Sequence, residues 1–304
     1  MAPASKLMSL SEAIKRYVPD GAEAVMGTSL ETMIPFAAGH EIIRQRKKNL
    51  TLIGPISDIL FDRLIGAGCV RKTRAAWIGN VITGSSYNFR RAAEEGTLET
   101  EDHSNLTISM ALKAGAMGVP FMPALTALGS DLYKTNQSIK ETTCPFTGIL
   151  LTAVSAINPD VAVIHVQRSD EYGNAHMWGN LGVTREACLA SRHIIITAEE
   201  IVSPDVIESD PNRVITPGFR VNAVAHVPWG AHPSPVPGYY NRDHDAFIEY
   251  RNDSRTPEIF EKWLRFWVDN VKSSDDYLGL LGKERISKLG LKKHMMSEPV
   301  DYGY

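Results

Sequence analysis

The sequence predicts an α/β protein with an open, mostly parallel sheet and helices on both of its faces. Short apolar segments rich in β-branched residues, such as VAVIHV at 161–166 and HIIITAEEIV at 193–202, have the composition of buried parallel strands. Segments with helical periodicity separate these strands along the chain. Alternation of strand and helix is typical of parallel sheets, because each crossover usually contains a helix.

The first predicted element is a helix at 9–18, with Ser9 or Ser11 as its N-cap, followed by a strand at 22–27. No repeat or linker interrupts the chain, so we expect residues 1–304 to form a single domain. A division near 145, at TTCPFTG, is the alternative. Further helices are predicted at 35–48, 57–68, 85–96 and 104–118, further strands at 50–54, 72–80, 161–166, 193–202 and 218–230, and a long helical region from 245 to 282.

The composition is that of a soluble globular protein, with 304 residues of which 43% are hydrophobic and 22% charged. A formal charge of -3 gives no general attraction to nucleic acid or anionic membranes. No apolar run has membrane-spanning length, and the N-terminal segment is predicted to be an amphipathic helix instead of a signal peptide. Cys69, Cys144 and Cys188 are widely spaced and form no CxxC pair. We therefore expect a cytoplasmic protein with reduced cysteines.

Several common catalytic motifs do not occur in the sequence. It contains neither GxxxxGK[ST] nor a GxGxxG placed between a strand and a helix, which disfavours a nucleotide-binding enzyme. Neither HExxH nor HxH occurs, so no metal site is expected. GxSxG is also absent, which disfavours a serine hydrolase. The glycine- and serine-rich GNVITGSS at 79–86 is interpreted as an anion-binding loop or a plain turn.

Candidate binding residues come from the loops that follow predicted strands, because ligands of parallel sheets lie at the carboxyl ends of the strands. These loops are 27–35, 78–86, 127–131, 170–180 and 230–235. Hydroxyl groups directly after a strand can donate hydrogen bonds to a substrate carbonyl or carboxylate. The residues we predict to bind substrate in these loops are Gly27, Thr28, Ser29, Glu31, Thr32, Asn80, Gly129 and Ser130.

Two further features carry alternative interpretations. Glu101 and Asp102 stand at the start of a predicted helix, where they can place negative charge or Asp102 can act as the N-cap. Alternatively, Glu101 is a pocket carboxylate, and we include it among the candidate binding residues. The segment WGAHPSPVPGYY at 229–240 combines three prolines with two glycines and three aromatic residues. It predicts a rigid surface that meets a ligand or another chain, in which His232 is either structural or chemical.

The chain resembles the alpha subunits of family I CoA-transferases of the glutaconate CoA-transferase type. The resemblance extends from the N-terminal helix to LGLLGKERI at 278–286. Its most specific stretch is EEIVSPDVIESDPNRVITPGFRVNAVAHVPWGAHPS at 199–234. LKAGAMGVPFMP at 112–123, PDVAVIHVQRSDEYGNAHMWG at 159–179 and the ED at 101–102 with Ser104 also match.

This resemblance implies a heteromeric enzyme that moves coenzyme A between an acyl-CoA and a small carboxylic acid. In the family the nucleophile is a glutamate of the beta subunit, which attacks the acyl-CoA and passes through a glutamyl-CoA thioester. We find no matching glutamate motif in this chain, so the resemblance assigns it no catalytic residue of its own. It implies a beta-subunit partner in a heterotetramer or larger assembly, coenzyme A as a co-substrate and no permanently bound cofactor.

The chain departs from the family pattern in two of the predicted substrate loops. The family signature has Gly-Gly-Phe and then Gly-x-Pro after the first strand, but here Thr28, Ser29 and Met33 replace a glycine, the phenylalanine and the later glycine. Leu128 stands where related transferases often have glutamine. These departures keep two alternatives open: a subunit of a CoA-thioester or ring-opening CoA hydrolase of the same fold, and a non-catalytic stabilising subunit.

Overall fold

Thirteen strands form in the computed structural model, which describes residues 4–291. They are β1 Glu23–Val25, β2 Leu50–Ile56, β3 Val70–Trp77, β4 Gly79–Asn80, β5 Gly84–Ser85, β6 Glu99–Asp102, β7 Phe121–Ala124, β8 Ile139–Thr143, β9 Leu150–Ser155, β10 Val161–Ser169, β11 Ala175–His176, β12 His193–Ile201 and β13 Ala223–His226. Seven of them build a parallel sheet in the order β13-β12-β10-β1-β2-β3-β6, and β11 pairs antiparallel with β10. A second, antiparallel sheet has the order β7-β9-β8.

Helices connect the parallel strands, as the sequence predicts. The first helix begins after Ser9, whose side chain accepts a hydrogen bond from the Glu12 amide. The predicted long helical region from 245 to 282 contains three separate α-helices, and a fourth follows it. The helices are α1 Leu10–Tyr17, α2 Phe36–Arg44, α3 Leu60–Gly66, α4 Tyr87–Glu94, α5 Asn105–Met117, α6 Leu132–Thr135, α7 Thr184–Ala190, α8 Pro204–Glu208, α9 His244–Asp253, α10 Pro257–Leu264, α11 Ser274–Leu281 and α12 Lys283–Leu289.

The parallel sheet is covered on both faces, and its side chains divide between two hydrophobic cores. Ala24 and Val163 belong to the core that contains α1, α2 and α3, whereas their neighbours Val25 and Ile164 belong to the core of α5 and α7. Successive strand residues point to opposite faces, so this alternation follows from the strand geometry. It explains why these strands are apolar throughout, and it confirms the predicted α/β fold.

The structure corrects the sequence prediction around Glu101, and in the segment 121–155 it shows strands for which no element was predicted. Residues 99–102 form the edge strand β6 and not the start of a helix, and the N-cap of α5 is Ser104 instead of Asp102. β6 is polar, as edge strands commonly are, and a polar strand lacks the apolar run by which buried strands are recognised in a sequence. TTCPFTG is the turn of the β8–β9 hairpin, so a division near 145 would cut one antiparallel pair.

Glu101 fastens the small antiparallel sheet to the edge of the parallel sheet. Its carboxylate is bound by Lys72 Nζ at 2.9 Å and Arg74 Nε at 2.9 Å from β3, and by His103 Nε2 at 3.1 Å. Ser138, next to β8, donates to it at 2.8 Å. Burial alone would raise the pKa of Glu101, but the hydrogen bonds from His103, Lys72 and Ser138 outweigh burial and hold the pKa well below its ordinary value.

We expect Glu101→Gln to lower the free energy of unfolding by about 1–3 kcal/mol at pH 7, because it weakens charged hydrogen bonds. The pKa of Glu101 is lower in the folded state than in the unfolded state. The stabilisation that the ionised Glu101 provides is therefore complete above the unfolded-state pKa of about 4.3, and it is lost as the pH falls toward the folded-state pKa. Urea titrations at neutral and acidic pH should therefore show that the difference in free energy of unfolding between Glu101→Gln and the parent protein narrows below about pH 4.

Glu99→Gln is the matched control, since Glu99 lies on the same strand but has an exposed side chain. It should leave the unfolding midpoint nearly unchanged. Equal stability of Glu101→Gln and the parent protein at pH 7 would contradict the structural role of Glu101.

Candidate active site

The loop that follows β1 lies where the strand order of the parallel sheet reverses. β1 pairs with β10 on one side, through Ala24 and Val161, and with β2 on the other, through Ala24 and Leu52. From this point β2, β3 and β6 extend in one direction, and β10, β12 and β13 in the other. Loops diverge at such a reversal and leave a crevice beyond the carboxyl ends of the strands. The predicted binding loop 27–35 therefore occupies the usual ligand position of this fold.

This loop has an unusual backbone. Leu30 and Met33 adopt φ angles of 63° and 51°, and Gly27 has a φ of 66°. Non-glycine residues rarely adopt positive φ, and they do so where surrounding contacts hold them there. Gly27 also has no room for a side chain, because a Cβ would lie 2.7 Å from Ser57 Oγ. The chain thus uses glycine and strained residues to place this loop at the crevice.

The hydroxyl groups of Thr28 and Ser29 shape the loop from inside. Both residues are buried, with 3% and 2% of their surface exposed. Thr28 Oγ1 lies 2.8 Å from Thr184 Oγ1, and Ser29 Oγ donates to the Thr32 carbonyl oxygen at 2.6 Å. Both hydroxyl groups are hydrogen-bonded to other groups of this chain, whereas the sequence predicted that they contact a substrate. Of the predicted residues in this loop, Glu31 and Thr32 are partly exposed.

The segment 229–240 crosses the carboxyl end of the sheet and holds loop 27–35 in place. The Pro235 carbonyl oxygen accepts from the Met33 amide at 3.0 Å, and Ser234 Oγ donates to the Glu31 carbonyl oxygen at 2.6 Å. Most of the segment is buried. Pro233 and Tyr240 are buried, whereas the other prolines and aromatic residues of the segment are partly exposed. That this rigid segment meets a ligand or another chain stays a prediction.

A buried glutamate on β12 fixes this segment to the sheet. Glu199 accepts hydrogen bonds from the Trp229 amide at 2.7 Å and from Tyr240 Oη at 2.7 Å, and it lies 2.8 Å from His165 Nε2. The Trp229 and Tyr240 rings stack with their centroids 4.3 Å apart. Glu199 therefore secures both ends of the segment.

His232 has a structural position within this segment. Its Nδ1 lies 2.6 Å from Tyr277 Oη and its Nε2 2.9 Å from Asp243 Oδ2. Only 3% of the residue is exposed. Both ring nitrogens are engaged by protein groups, so His232 does not face the crevice with a free nitrogen.

A chain of polar side chains joins the crevice loops. Arg242 Nη2 binds Asp58 Oδ2 at 2.7 Å, and Arg242 Nη1 lies 3.5 Å from Glu31 Oε2. Asn80 Nδ2 donates to Asp58 Oδ1 at 2.9 Å. The Arg242 guanidinium also lies over the Phe247 ring, 4.1 Å from its centroid. The cluster therefore fixes one positive group at the strand ends of β1, β2 and β3.

The side chains of this polar cluster differ in their exposure to solvent. The side chains of Asp58 and Arg242 are 2% and 11% exposed, whereas that of Glu31 is 38% exposed. Burial raises the pKa of Asp58, although the charge of Arg242 and the hydrogen bond from Asn80 oppose this effect. Arg242 thus has a close, buried partner on one side and a longer contact with a partly exposed carboxylate on the other.

The sequence analysis did not identify Asp58 or Arg242. Asp58 could have been found, because it stands two residues after β2 at a strand end. Arg242 gives no such signal, since it follows the proline-rich segment and stands 211 positions from Glu31. Only the fold brings the two side chains together.

The remaining predicted residues lie elsewhere. Asn80 is in the β4–β5 hairpin, where its Oδ1 accepts from the Ile82 amide and its Nδ2 reaches Asp58. Glu101 joins the two sheets, and Gly129 and Ser130 lie in an exposed turn after β7. No hydrogen bond among the described residues links these last three to loop 27–35. The structure therefore gathers six of the nine predicted residues: Gly27, Thr28, Ser29, Glu31, Thr32 and Asn80.

Residues 4–291 contain neither a candidate metal site nor a candidate membrane-spanning helix. No group of three or more His, Cys, Asp and Glu residues in this range is placed to hold a metal ion. None of the helices in the described range is long and apolar enough to cross a membrane. Cys69, Cys144 and Cys188 are all free. The crevice at the carboxyl end of β1 is thus the candidate active site that the geometry favours.

Known proteins resemble the chain over nearly its whole length. It is 42% identical over 276 residues to the A subunit of the 3-oxoadipate CoA-transferase of Pseudomonas knackmussii, a match that covers 90% of this chain and 97% of the relative. It is 34% identical over 302 residues to the A subunit of the glutaconate CoA-transferase of Acidaminococcus fermentans, covering 94% of each chain.

The three-dimensional comparison agrees with the sequence comparison. The crystal structure of the Acidaminococcus fermentans glutaconate coenzyme A-transferase superimposes with a TM-score of 0.90 at 33% identity, covering 96% of this chain and 97% of that chain. The sequence model described as "Coenzyme A transferase" matches residues 7–226, which include loop 27–35 and all strands of the parallel sheet. The chain therefore belongs to the coenzyme A transferase family.

Proposed function

We propose that this chain is the A subunit of a heteromeric CoA-transferase that exchanges coenzyme A between an acyl-CoA and a small dicarboxylic acid. The near full-length relatives support the reaction class. The acids in their names, 3-oxoadipate and glutaconate, each carry two carboxylates. The observation that supports a diacid for this chain is the Arg242 guanidinium, which is held at the crevice with a partly exposed glutamate as its outer partner.

The proposed reaction consists of two acyl exchanges at a carboxylate of the partner subunit. That carboxylate attacks the acyl-CoA carbonyl and releases CoA thiolate, which leaves a mixed anhydride. The thiolate then attacks the enzyme carbonyl, forms the enzyme thioester and releases the first acid. The acceptor acid repeats these steps in reverse order and leaves as its CoA thioester. Coenzyme A is thus a co-substrate, and no net proton is taken up or released.

Arg242 is proposed to hold the carboxylate of the diacid that does not react. A guanidinium binds a carboxylate through two parallel hydrogen bonds, which fixes orientation as well as charge. Asp58 already occupies one side of Arg242 at 2.7 Å, whereas Glu31 lies at 3.5 Å on the other side. A substrate carboxylate would replace the Glu31 carboxylate, which is partly exposed and free to turn toward water.

Loop 27–35 is proposed to form the floor beneath the reacting carboxylate. Gly27, Leu30 and Met33 keep the backbone in its unusual path, and the buried Thr28 and Ser29 hydroxyls hold that path from below. Glu31 and Thr32 are then the side chains that reach the crevice. In this proposal, the chain positions the acid and the partner subunit contributes the nucleophile.

The proposed assembly is a heterotetramer or larger complex with a beta subunit. Its proposed location is the cytoplasm, which three free cysteines favour.

We expect the purified chain to be inactive alone and active with the subunit encoded beside it. The assay measures CoA transfer from acetyl-CoA or glutaryl-CoA to dicarboxylic acids. Borohydride added with acyl-CoA should inactivate the complex, because it reduces an enzyme thioester. Mass spectrometry should place the reduced glutamate on the partner.

Two outcomes would contradict this proposal. Full activity from the chain alone would place the nucleophile in this sequence. Release of free CoA without an acceptor acid, and with no thioester to reduce, would assign the complex to the hydrolases.

We expect Arg242→Lys to raise the KM for succinate, glutarate or adipate by roughly tenfold or more, because a charged hydrogen-bonded pair is weakened. Butyrate, valerate and hexanoate lack the second carboxylate, and their kcat/KM should change little. Glu31→Gln should lower the KM for diacids, since it removes the carboxylate that competes for Arg242.

Arg220→Lys is the matched control, because Arg220 is partly buried at the opposite end of the sheet, where it binds the Ser191 carbonyl oxygen. It should leave both substrate classes unaffected. Equal losses for monoacids and diacids in Arg242→Lys would show that Arg242 does not recognise the second carboxylate.

A further inference from the structure

A cavity of about 260 Å³ lies between helices α1, α2 and α11 and the first residues of the segment 229–240. Its walls come from the first turns of α1 and α11, from α2 and from residues 226–232 after β13. Neither loop 27–35 up to Pro35 nor Asp58, Asn80 or Arg242 contributes to its lining. The lining of this cavity is therefore distinct from the residues of the substrate crevice.

One wall of the cavity contains a buried histidine with an unused hydrogen-bond donor. His40, which is 4% exposed, lies with its Nε2 3.0 Å from Arg63 Nη1. Arginine can only donate, so His40 Nε2 must accept, and the neutral ring then carries its proton on Nδ1. Burial, followed by the charges of Arg63 and Arg44, holds the pKa of His40 well below its ordinary value. The Nδ1–H group has no hydrogen-bond partner among the described residues.

The charges around the cavity favour an anion. Lys272 and Arg44 line it, and the single acidic side chain in its lining, Glu41, is already bound by Arg44 at 2.8 Å. Leu10 and Ser274, the first residues of α1 and α11, also line it. The amino ends of these two helices therefore contribute positive partial charge to the lining, although Glu12, Asp275 and Asp276 in their first turns offset part of it.

The lining also has an apolar part, to which Val227, Pro228, Trp229 and Val271 contribute. A ligand that matches the whole cavity combines a carboxylate with a compact apolar body, because a small inorganic anion would leave the apolar wall uncovered. Pockets of this kind commonly pair an apolar lining with a few placed polar groups.

We propose that this cavity is a second binding site for a small carboxylic acid with an apolar body, whose carboxylate accepts from His40 Nδ1–H and faces Lys272. The site also touches the segment that supports the substrate loop, since Gly230 accepts a hydrogen bond from the Ala37 amide at 2.9 Å within its lining. The proposal does not depend on the reaction assigned to the crevice.

The test titrates 4-fluorobenzoate into the full chain, alone and with its partner subunit, and follows the fluorine NMR signal. We expect saturable binding with a Kd on the order of 1 mM, as for a compact ligand. Lys272→Ala should weaken binding severalfold, whereas Lys262→Ala, an exposed lysine outside the cavity, should not. The neutral 4-fluorobenzamide should bind more weakly than the acid.

Variants inside the cavity separate binding from folding. His40→Gln keeps an acceptor for Arg63 and a donor for the ligand, so it should retain most of the affinity. His40→Leu should lose about tenfold or more, because it removes the donor to a charged acceptor. Since His40→Leu also deprives Arg63 of its partner and can unfold the chain, Ala37→Leu provides a second variant, which should fill the cavity and abolish binding.

Two results would overturn the proposal. One is a crystal structure grown with 4-fluorobenzoate that shows only ordered water in the cavity. The other is an affinity that is unchanged by Ala37→Leu but reduced by Arg242→Lys, because the acid would then occupy the crevice.

Discussion

The buried carboxylate of Glu199 is the constraint on which the rest of the crevice depends. It accepts hydrogen bonds from the start and the end of the segment 229–240, and so holds that segment across the sheet. The segment in turn hydrogen-bonds the backbone of Met33 and Glu31. A buried charge is stable only when its hydrogen bonds are satisfied, which ties the position of Glu199 to the folding of the segment above it.

The same arrangement explains why loop 27–35 tolerates positive φ angles at Leu30 and Met33. Such backbone is unfavourable by itself and persists where the surroundings determine it. Pro235 and Ser234 hold the loop from one side, and the Val183 amide binds the Thr28 carbonyl oxygen from another at 2.9 Å. Thr28, which was predicted to contact the substrate, has its hydroxyl group hydrogen-bonded to Thr184 inside the protein. The side chains left at the crevice are fewer, and Glu31 and Arg242 among them are charged.

The sequence predicted the apolar parallel strands and the helices between them, because burial on both faces leaves a clear pattern in strands such as β10 and β12. It did not predict β6, a polar strand whose Glu101 pairs with the basic residues Lys72 and Arg74 of β3. The strand-end rule selected loop 27–35, which lies where the strand order reverses, yet it missed Arg242. No local pattern indicates that a side chain 184 positions from Asp58 will bind it.

The pairing of β1 with β10 also determines how this chain can fold during synthesis. Ala24 must meet Val161, so the central strand of the sheet lacks one neighbour until more than half of the protein has left the ribosome. Contacts between such distant segments form slowly, because the entropy cost of closing a long loop precedes the stabilisation that the contacts provide. The crevice needs still later residues, up to Arg242. An emerging N-terminal half therefore exposes an unpaired apolar strand edge, which makes it a natural client for chaperones.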